Sequence, residues 1–417
     1  MKRYLLILVA LLIQTQPAYA ASLTLEEALT TAQKNHPRIV EARENLAGAE
    51  ARTGQAVANY YPQIGIAADW SRGRSFLTAL ESIRTVEVNT DVLYLKQTIY
   101  DFGRTTGAVA AARSNRDAVD KALSITRQDL TLRVKGAFYL LFAAEKQVAA
   151  TRETVQARED VHRQALEFFN QGVRAKVDVA RAEANLFAAR TSLIRAENNR
   201  EIARVELANA MGLASLGEFS PVEPVPVPVA LPDRDLAYRG ALANRAELQQ
   251  LTALESAAAA NLKTAKGSYL PILSGTASVG YADRDFPPTG KVWAVGLNLT
   301  VPLFSGFSSL EQVREARANI NSVTARQDNF KLQIAKEVQS AWLGVNEASA
   351  RLASTEKEVA AAGENKALAE GRYHEGVGSI IEVTDAQSLA LDAQTSHIQA
   401  RYDYYNAQAL LDRTMGK

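Results

Sequence analysis

The sequence predicts an α+β membrane protein made from one unit used twice, each copy giving two transmembrane β-strands and long coiled-coil helices. Three observations carry this prediction: an internal repeat, paired stretches of strict two-residue alternation, and three-four apolar spacing sustained over many helical turns. Gln171-Gly172-Val173 returns as Glu375-Gly376-Val377 and Met211-Gly212 as Met415-Gly416, both 204 positions on (172 to 376, 212 to 416). Nearer the front, Tyr61-Pro62-Gln63-Ile64 returns as Leu270-Pro271-Ile272-Leu273 at an offset of 209 (62 to 271), as Asn35 does in Asn244. The offset changes between Trp70 and Val88, so one copy is expected to have the longer loop there.

Residues 1–20 read as a secretory signal peptide: Lys2 and Arg3, an apolar run from Tyr4 to Ile13, and Ala18-Tyr19-Ala20 before the cleavage point. The absence of cysteine excludes N-terminal acylation, disulfides, thiol catalysis and thiolate metal sites. A net charge of +1 with both signs interspersed gives no nucleic-acid footprint. Beyond the signal no apolar run approaches the roughly 18 residues of a membrane helix.

Each copy is expected to open with one helix, roughly 23–59 and 235–268, started in the first copy by Thr24 with Glu26 and Glu27. Tyr61-Pro62 and Leu270-Pro271 end these helices, because the residue before proline is pushed out of the α region. Strands follow at about 62–71 and 88–100 in the first copy and about 271–282 and 291–302 in the second. Ile64, Ile66, Ala68 and Trp70 fall on one face. In the second copy Leu273, Ala277, Val279 and Tyr281 do so, followed by Trp293, Val295, Leu297, Leu299 and Val301. Leu93 and Leu95 are their counterparts on the less regular strand. Apolar residues alternating with small or polar ones are the mark of a lipid-facing strand, and Trp70, Tyr281 and Trp293 suit an aromatic girdle near the strand ends.

Helices of about 67 residues are expected over 103–170 and 308–374. In the second, Val313, Ala316, Ile320, Val323, Phe330 and Ile334 form a seam that resumes after one extra residue at Val338, Ala341, Val345 and Ala348. Reversals at Gly172–Lys176 and Gly376–Ser379 lead into return helices ending near Met211 and Met415. The domain organisation is therefore a first repeat over 21–215, a proline-rich linker over 216–233 and a second repeat over 234–417. Four strands cannot close a barrel, and an open sheet edge is excluded from lipid, so several chains must pool their strands. Two copies giving eight and three giving twelve both satisfy that requirement.

This order of elements resembles the TolC family of outer-membrane efflux factors. The resemblance rests on Tyr100-Asp101-Phe102-Gly103, on Leu303-Phe304-Ser305-Gly306 and on the segment from Arg372 to Gln387, and it spans the mature chain. It implies a homotrimer with a twelve-stranded barrel in the outer membrane of a Gram-negative bacterium and a helical tunnel across the periplasm. The implied role is a passive duct serving an inner-membrane transporter (RND, ABC or MFS type) through a periplasmic adaptor, or membrane fusion protein. It also implies that Glu382 and Asp385, with Asp178 as first-copy equivalent, form an acidic pore entrance, and that Tyr373 gates it. The family's latching arginine aligns with Gly378, and Arg174 occupies the matching first-copy position. Phe169, Gly172, Val173, Tyr373, Gly376 and Val377 are the expected tip and adaptor-docking residues. A soluble periplasmic coiled-coil adaptor or scaffold is the competing reading, with an envelope hydrolase a distant third. Catalysis finds no support, since His36, His162, His374 and His397 are scattered and no nucleophile or phosphate motif is present. No cofactor or metal is expected.

Overall fold

The computed structural model describes residues 21–77, 82–215, 217, 219–223 and 231–417. The expected signal peptide at 1–20 and most of the proline run lie outside them. The chain forms two compact units, and each draws on both sequence copies. One takes the described residues of Met1–His36, Leu130–Leu231 and Gly344–Leu410, the other those of Pro37–Asp129, Pro232–Leu343 and Leu411–Lys417.

In the first unit, β1 (Ala21–Leu23) leads into α1 (Leu25–Asn35). Thr24 caps α1 through a reciprocal box with Glu27, satisfying amide groups that the first turn leaves orphaned. The long helix α3 (Arg104–Asn170) contributes its part from Leu130 onward, and α4 (Lys176–Ala210) returns along it. Alanines and leucines at 182, 186, 189, 196, 203 and 207 are the buried seam of α4. β4 (Phe219–Pro221), inside the expected linker, pairs in parallel with β1, and Glu223 just beyond it is held by Arg401 and Lys146. The later halves of this unit are α7 (Ser308–His374) from Gly344 and α8 (Ile380–Thr414) up to Leu410.

The second unit holds α2 (Pro37–Ala58), α5 (Arg234–Asn244), α6 (Ala246–Gly267) and the large sheet. The helix expected over 23–59 is thus broken at His36, and the one over 235–268 at Arg245. Pro37 accounts for the first break by forcing His36 into extended backbone, ψ 126°. The second has no proline. Arg245 is extended at ψ 116°, and its nearly buried guanidinium is drawn to Glu247 at 3.0 Å and Glu337 at 2.7 Å. Each copy's final glycine explains why a break is needed. A Cβ on Gly212 would lie 2.8 Å from the His36 Cα, and one on Gly416 2.7 Å from the Asn244 carbonyl carbon. Both glycines also have positive φ, 74° and 82°.

The sheet contains β2 (Gln63–Leu77), β3 (Ser82–Tyr100), β5 (Ile272–Asp283) and β6 (Gly290–Thr300), antiparallel in the order β2-β3-β5-β6. The two hairpins are joined by β3 and β5, leaving β2 and β6 as edges among the described residues. The extra length of the first copy, expected as a loop, extends its strands instead: β2 and β3 have 15 and 19 residues, β5 and β6 have 12 and 11.

After each hairpin the chain turns into its long helix through two consecutive left-handed residues. They are Phe102 and Gly103 in the first copy, Gly306 and Phe307 in the second. At the 204-residue offset (102 to 306, 103 to 307) the glycine and phenylalanine have changed places. Gly103 therefore matches Phe307 rather than Gly306, the residue with which the sequence motif aligns it. A phenylalanine tolerates the left-handed region at a cost of roughly 1–2 kcal/mol, so the chain path rather than the side chain fixes these positions.

Candidate functional site at the hairpin tips and the sheet face

At the tips, α3 and α7 end in the same way. Gly172 (φ 75°) and Gly376 (φ 76°) adopt the left-handed conformation, and Val173 N–H and Val377 N–H reach back to the carbonyls of Phe168 and Arg372 at 2.9 and 3.0 Å. These are glycine-terminated helix caps, and the two glycines have open space around them. Both return helices place an acid in the first turn, Asp178 in α4 and Glu382 in α8, where the helix dipole favours negative charge. Glu382 N–H is capped by the Ser379 hydroxyl at 3.2 Å.

One apolar cluster joins the four helices here, built from Val161, Ala165, Ala182, Ala369, Ile380 and Val383 around Tyr373. Tyr373 is 1 % exposed, and its ring meets Phe168 edge-on at 5.8 Å. Its hydroxyl has no hydrogen-bond partner, and burial followed by the negative charge of Asp178 pushes its pKa up against the pull of Arg174. The expected gating tyrosine thus sits inside the tip core of its own chain. Arg174 Nη2 donates to the Gly376 carbonyl at 3.1 Å and the Gly378 carbonyl at 2.6 Å, tying one reversal to the other. Gly378 leaves no room for a side chain, since a Cβ there would be 2.8 Å from Tyr373 N. Glu382 and Asp385 are exposed, with Arg372 3.6 Å from Glu382, while Asp178 is half-buried. Phe169, Val173 and Val377 are exposed around the glycines.

Arg158 escapes sequence reading. It follows Val148, Thr151 and Val155 at seam spacing and is itself buried at a position that a coiled coil normally gives to an apolar residue. That charged seam position is the signal by which it could have been found. Among the described residues no cluster of three or more potential metal ligands occurs.

On the sheet, register aligns the apolar residues into rows across all four strands. Ile66, Leu93, Val279 and Trp293 form one row, and Ile64, Leu95, Ala277 and Val295 the next. Ile66 is 79 %, Trp293 78 %, Val295 76 % and Leu297 76 % exposed, so this apolar face is uncovered within the chain. The opposite face is lined by small or polar residues such as Thr276, Ser278, Ala294 and Asn298, and the Tyr94 ring overlies Gly65. Trp70 and Tyr281 lie on the apolar face in the two rows beyond Trp293, and the Trp70 indole donates to Glu87 at 3.1 Å. A second aromatic collar was not anticipated. Tyr60, Tyr61, Tyr100, Phe102, Phe304 and Phe307 are exposed where the strands meet the helices. Tyr100–Phe102 and Phe304–Phe307 are matching edge-on pairs at 4.6 and 5.5 Å. Among the described residues no helix is long and apolar enough to cross a membrane.

The family model described as outer membrane efflux protein matches residues 18–213 and 237–417. The chain is similar to outer membrane efflux protein BepC of Brucella suis, with 28 % identity over 95 % of this chain and 86 % of that protein. It is also similar to protein CyaE of Bordetella pertussis, with 26 % identity over 90 % and 80 %. The solved outer-membrane channel OprN superposes with a TM-score of 0.83 at 20 % identity, covering 94 % of this chain and 89 % of that one.

Proposed function

Since the chain belongs to the outer membrane efflux protein family, we propose that three copies assemble into the passive exit duct of a tripartite efflux or type I secretion system. The family places the protein in the outer membrane of a Gram-negative bacterium, extending into the periplasm, as a non-enzymatic transport component. The competing soluble adaptor has no support from these similarities.

The observation that carries a barrel shared among chains is the four-stranded sheet with one apolar face and two open edges, and the family resemblance selects three copies over two. Hydrocarbon forbids open edges, and three arcs of four strands close at twelve. α4 supports this with a second seam. Val177, Phe187, Ile194, Ile202 and Val205 are exposed on the side away from its buried one, as expected of a helix flanked on both sides. The span from Trp293 to Val301 rises about 20 Å after strand tilt, close to the apolar band of an outer-membrane barrel. Trp70, Tyr281 and Trp293 then form one lipid-facing girdle, with the unanticipated collar at the other end of the strands.

At the tips, Glu382 and Asp385 from three chains, backed by Asp178, form an acidic entrance that favours cations. Tyr373 and the Arg174 clasp hold it narrow. Phe169, Gly172, Val173, Gly376 and Val377 present the surface for a periplasmic adaptor that recruits the inner-membrane transporter.

The test is planar-bilayer conductance of the detergent-purified, cross-linked oligomer. Cation-selective steps that lose selectivity in Glu382→Ala/Asp385→Ala support the duct and its entrance. Silence in both wild type and the loosened Tyr373→Ala variant counts against them. Leu297→Lys puts a charge on the lipid face at a cost of about 2–4 kcal/mol. Normal amounts of membrane-embedded trimer in that variant would defeat the lipid-facing assignment.

A further inference from the structure

Arg158 on α3 is 7 % exposed, and its charge is permanent because a guanidinium does not deprotonate in proteins. Its Nη2 donates to the Thr384 carbonyl at 3.1 Å and the Ser388 hydroxyl at 2.9 Å, while Nη1 is buried with no partner. These two contacts bracket Asp385, which points outward from the same turn of α8. Burial pulls the basicity of Arg158 down, and the negative charges of Asp385 and then Glu370 pull it back. Glu370 is itself held by Gln387 at 2.7 Å.

A desolvated cation behind an exposed carboxylate acts at short range with little screening. The duplication marks it as a device rather than a generic packing feature. At the 204-residue offset Arg158 corresponds to Ala362 and Asp385 to Arg181, so the pair, which joins α3 of the first copy to α8 of the second, has no counterpart between α7 and α4 (158 to 362, 181 to 385).

Resting on the acidic entrance proposed above, we infer that Arg158 is a specificity-determining and positioning residue: a buried counter-charge that pins the start of α8 and trims the cation preference set by Asp385. The entrance is thereby kept permissive to anionic as well as cationic solutes, because the negative charge of Asp385 is partly cancelled from behind.

The experiment measures the cation-to-anion permeability ratio from reversal potentials in a salt gradient, on the full-length oligomer. Arg158→Met is expected to raise the ratio about two-fold, with the effect shrinking at high salt. Arg158→Lys, which keeps the charge, is expected to return it to the wild-type value. Where Arg158→Met yields no oligomer, Arg158→Gln takes its place, since it removes the charge while keeping a polar hydrogen-bond donor on the side chain. A neutral variant with the wild-type ratio, in a channel whose selectivity collapses in Glu382→Ala/Asp385→Ala, overturns the role of Arg158 and leaves the entrance standing. An unchanged ratio in the acidic double variant as well overturns the entrance, and this inference with it. A raised ratio that Arg158→Lys fails to lower also overturns it, because the effect then comes from packing rather than charge.

Discussion

The reversal at Gly172 and the reversal at Gly376 follow the same backbone path. Their glycines differ by one degree in φ, and the same capping bonds close both helices. Their side chains have diverged. Phe169 stands exposed where Tyr373 is buried, Arg174 reaches out where Gly378 is packed against backbone, and Ala362 matches the buried Arg158. What the duplication retains is what the chain path requires. The first tip supplies the Arg174 tie and the second the buried Tyr373, while both contribute core residues and a first-turn acid, so neither could replace the other.

The largest test of that division is the 169/373 pair. Tyr373→Ala should destabilise the helical fold by about 3–5 kcal/mol through the cavity it leaves. Phe169→Ala should stay within about 0.5 kcal/mol. Thermal unfolding followed by circular dichroism reads both, and equal losses would erase the distinction between the tips.

The other shared feature, the Met-Gly end of each copy, gives the next test. Gly416 packs beside an ion network in which Glu247 meets Arg245 and Arg413, whereas Gly212 packs on His36. Burial raises the pKa of Glu247, but hydrogen bonds from Arg245 and Arg413 outweigh it, so its carboxyl lies below the usual range. A depressed folded-state pKa contributes stability above the unfolded value of 4.5 and loses it as pH falls through the lower folded value. Glu247→Gln should therefore cost about 1–3 kcal/mol at neutral pH and flatten the acid limb of the stability profile below about pH 4.5. An acid limb identical to wild type would mean that the network does not hold this end.

Smaller effects come from exchanging the tips' residues. Gly378→Arg restores the symmetry of the repeat but forces a Cβ onto Tyr373 N, at a cost of about 1–3 kcal/mol. Arg174→Gly should cost less, because the clasp is partly exposed. Unfolding midpoints in that order would confirm that the arginine belongs to the first tip. Smallest and most symmetrical, Gly172→Ala and Gly376→Ala should each cost about 1 kcal/mol, since both meet the same left-handed strain in open space. Unequal midpoints for these two would show that the backbones differ after all.

Much of this architecture was readable from the sequence. The bounds of α3 and α7 fall within a residue of the expected ones, because proline, glycine and seam spacing act locally. The alternation at Trp293–Val301 named the apolar face correctly, and the register extends it through Leu93 and Leu95. The break at Arg245 was not legible, since it is imposed by Gly416 and an ion network brought in from distant sequence. The burial of Tyr373 was missed for a similar reason: an aromatic residue at a helix end can turn inward or outward, and Phe168, 205 residues earlier (168 to 373), decides it. Arg158 was hidden by composition, as one arginine among many on long polar helices.

The sheet order carries a consequence for biogenesis. Because β3 pairs with β5 inside the chain, a single molecule already holds its central seam but carries, among the described residues, unsatisfied backbone along β2 and β6. Such an arc cannot enter hydrocarbon alone, so in the multi-chain barrel proposed above insertion must wait for neighbours to complete the ring. Membrane entry then becomes a concentration-dependent event in which assembly comes first. A strand-length peptide able to occupy one free edge would stall the pathway before any channel exists.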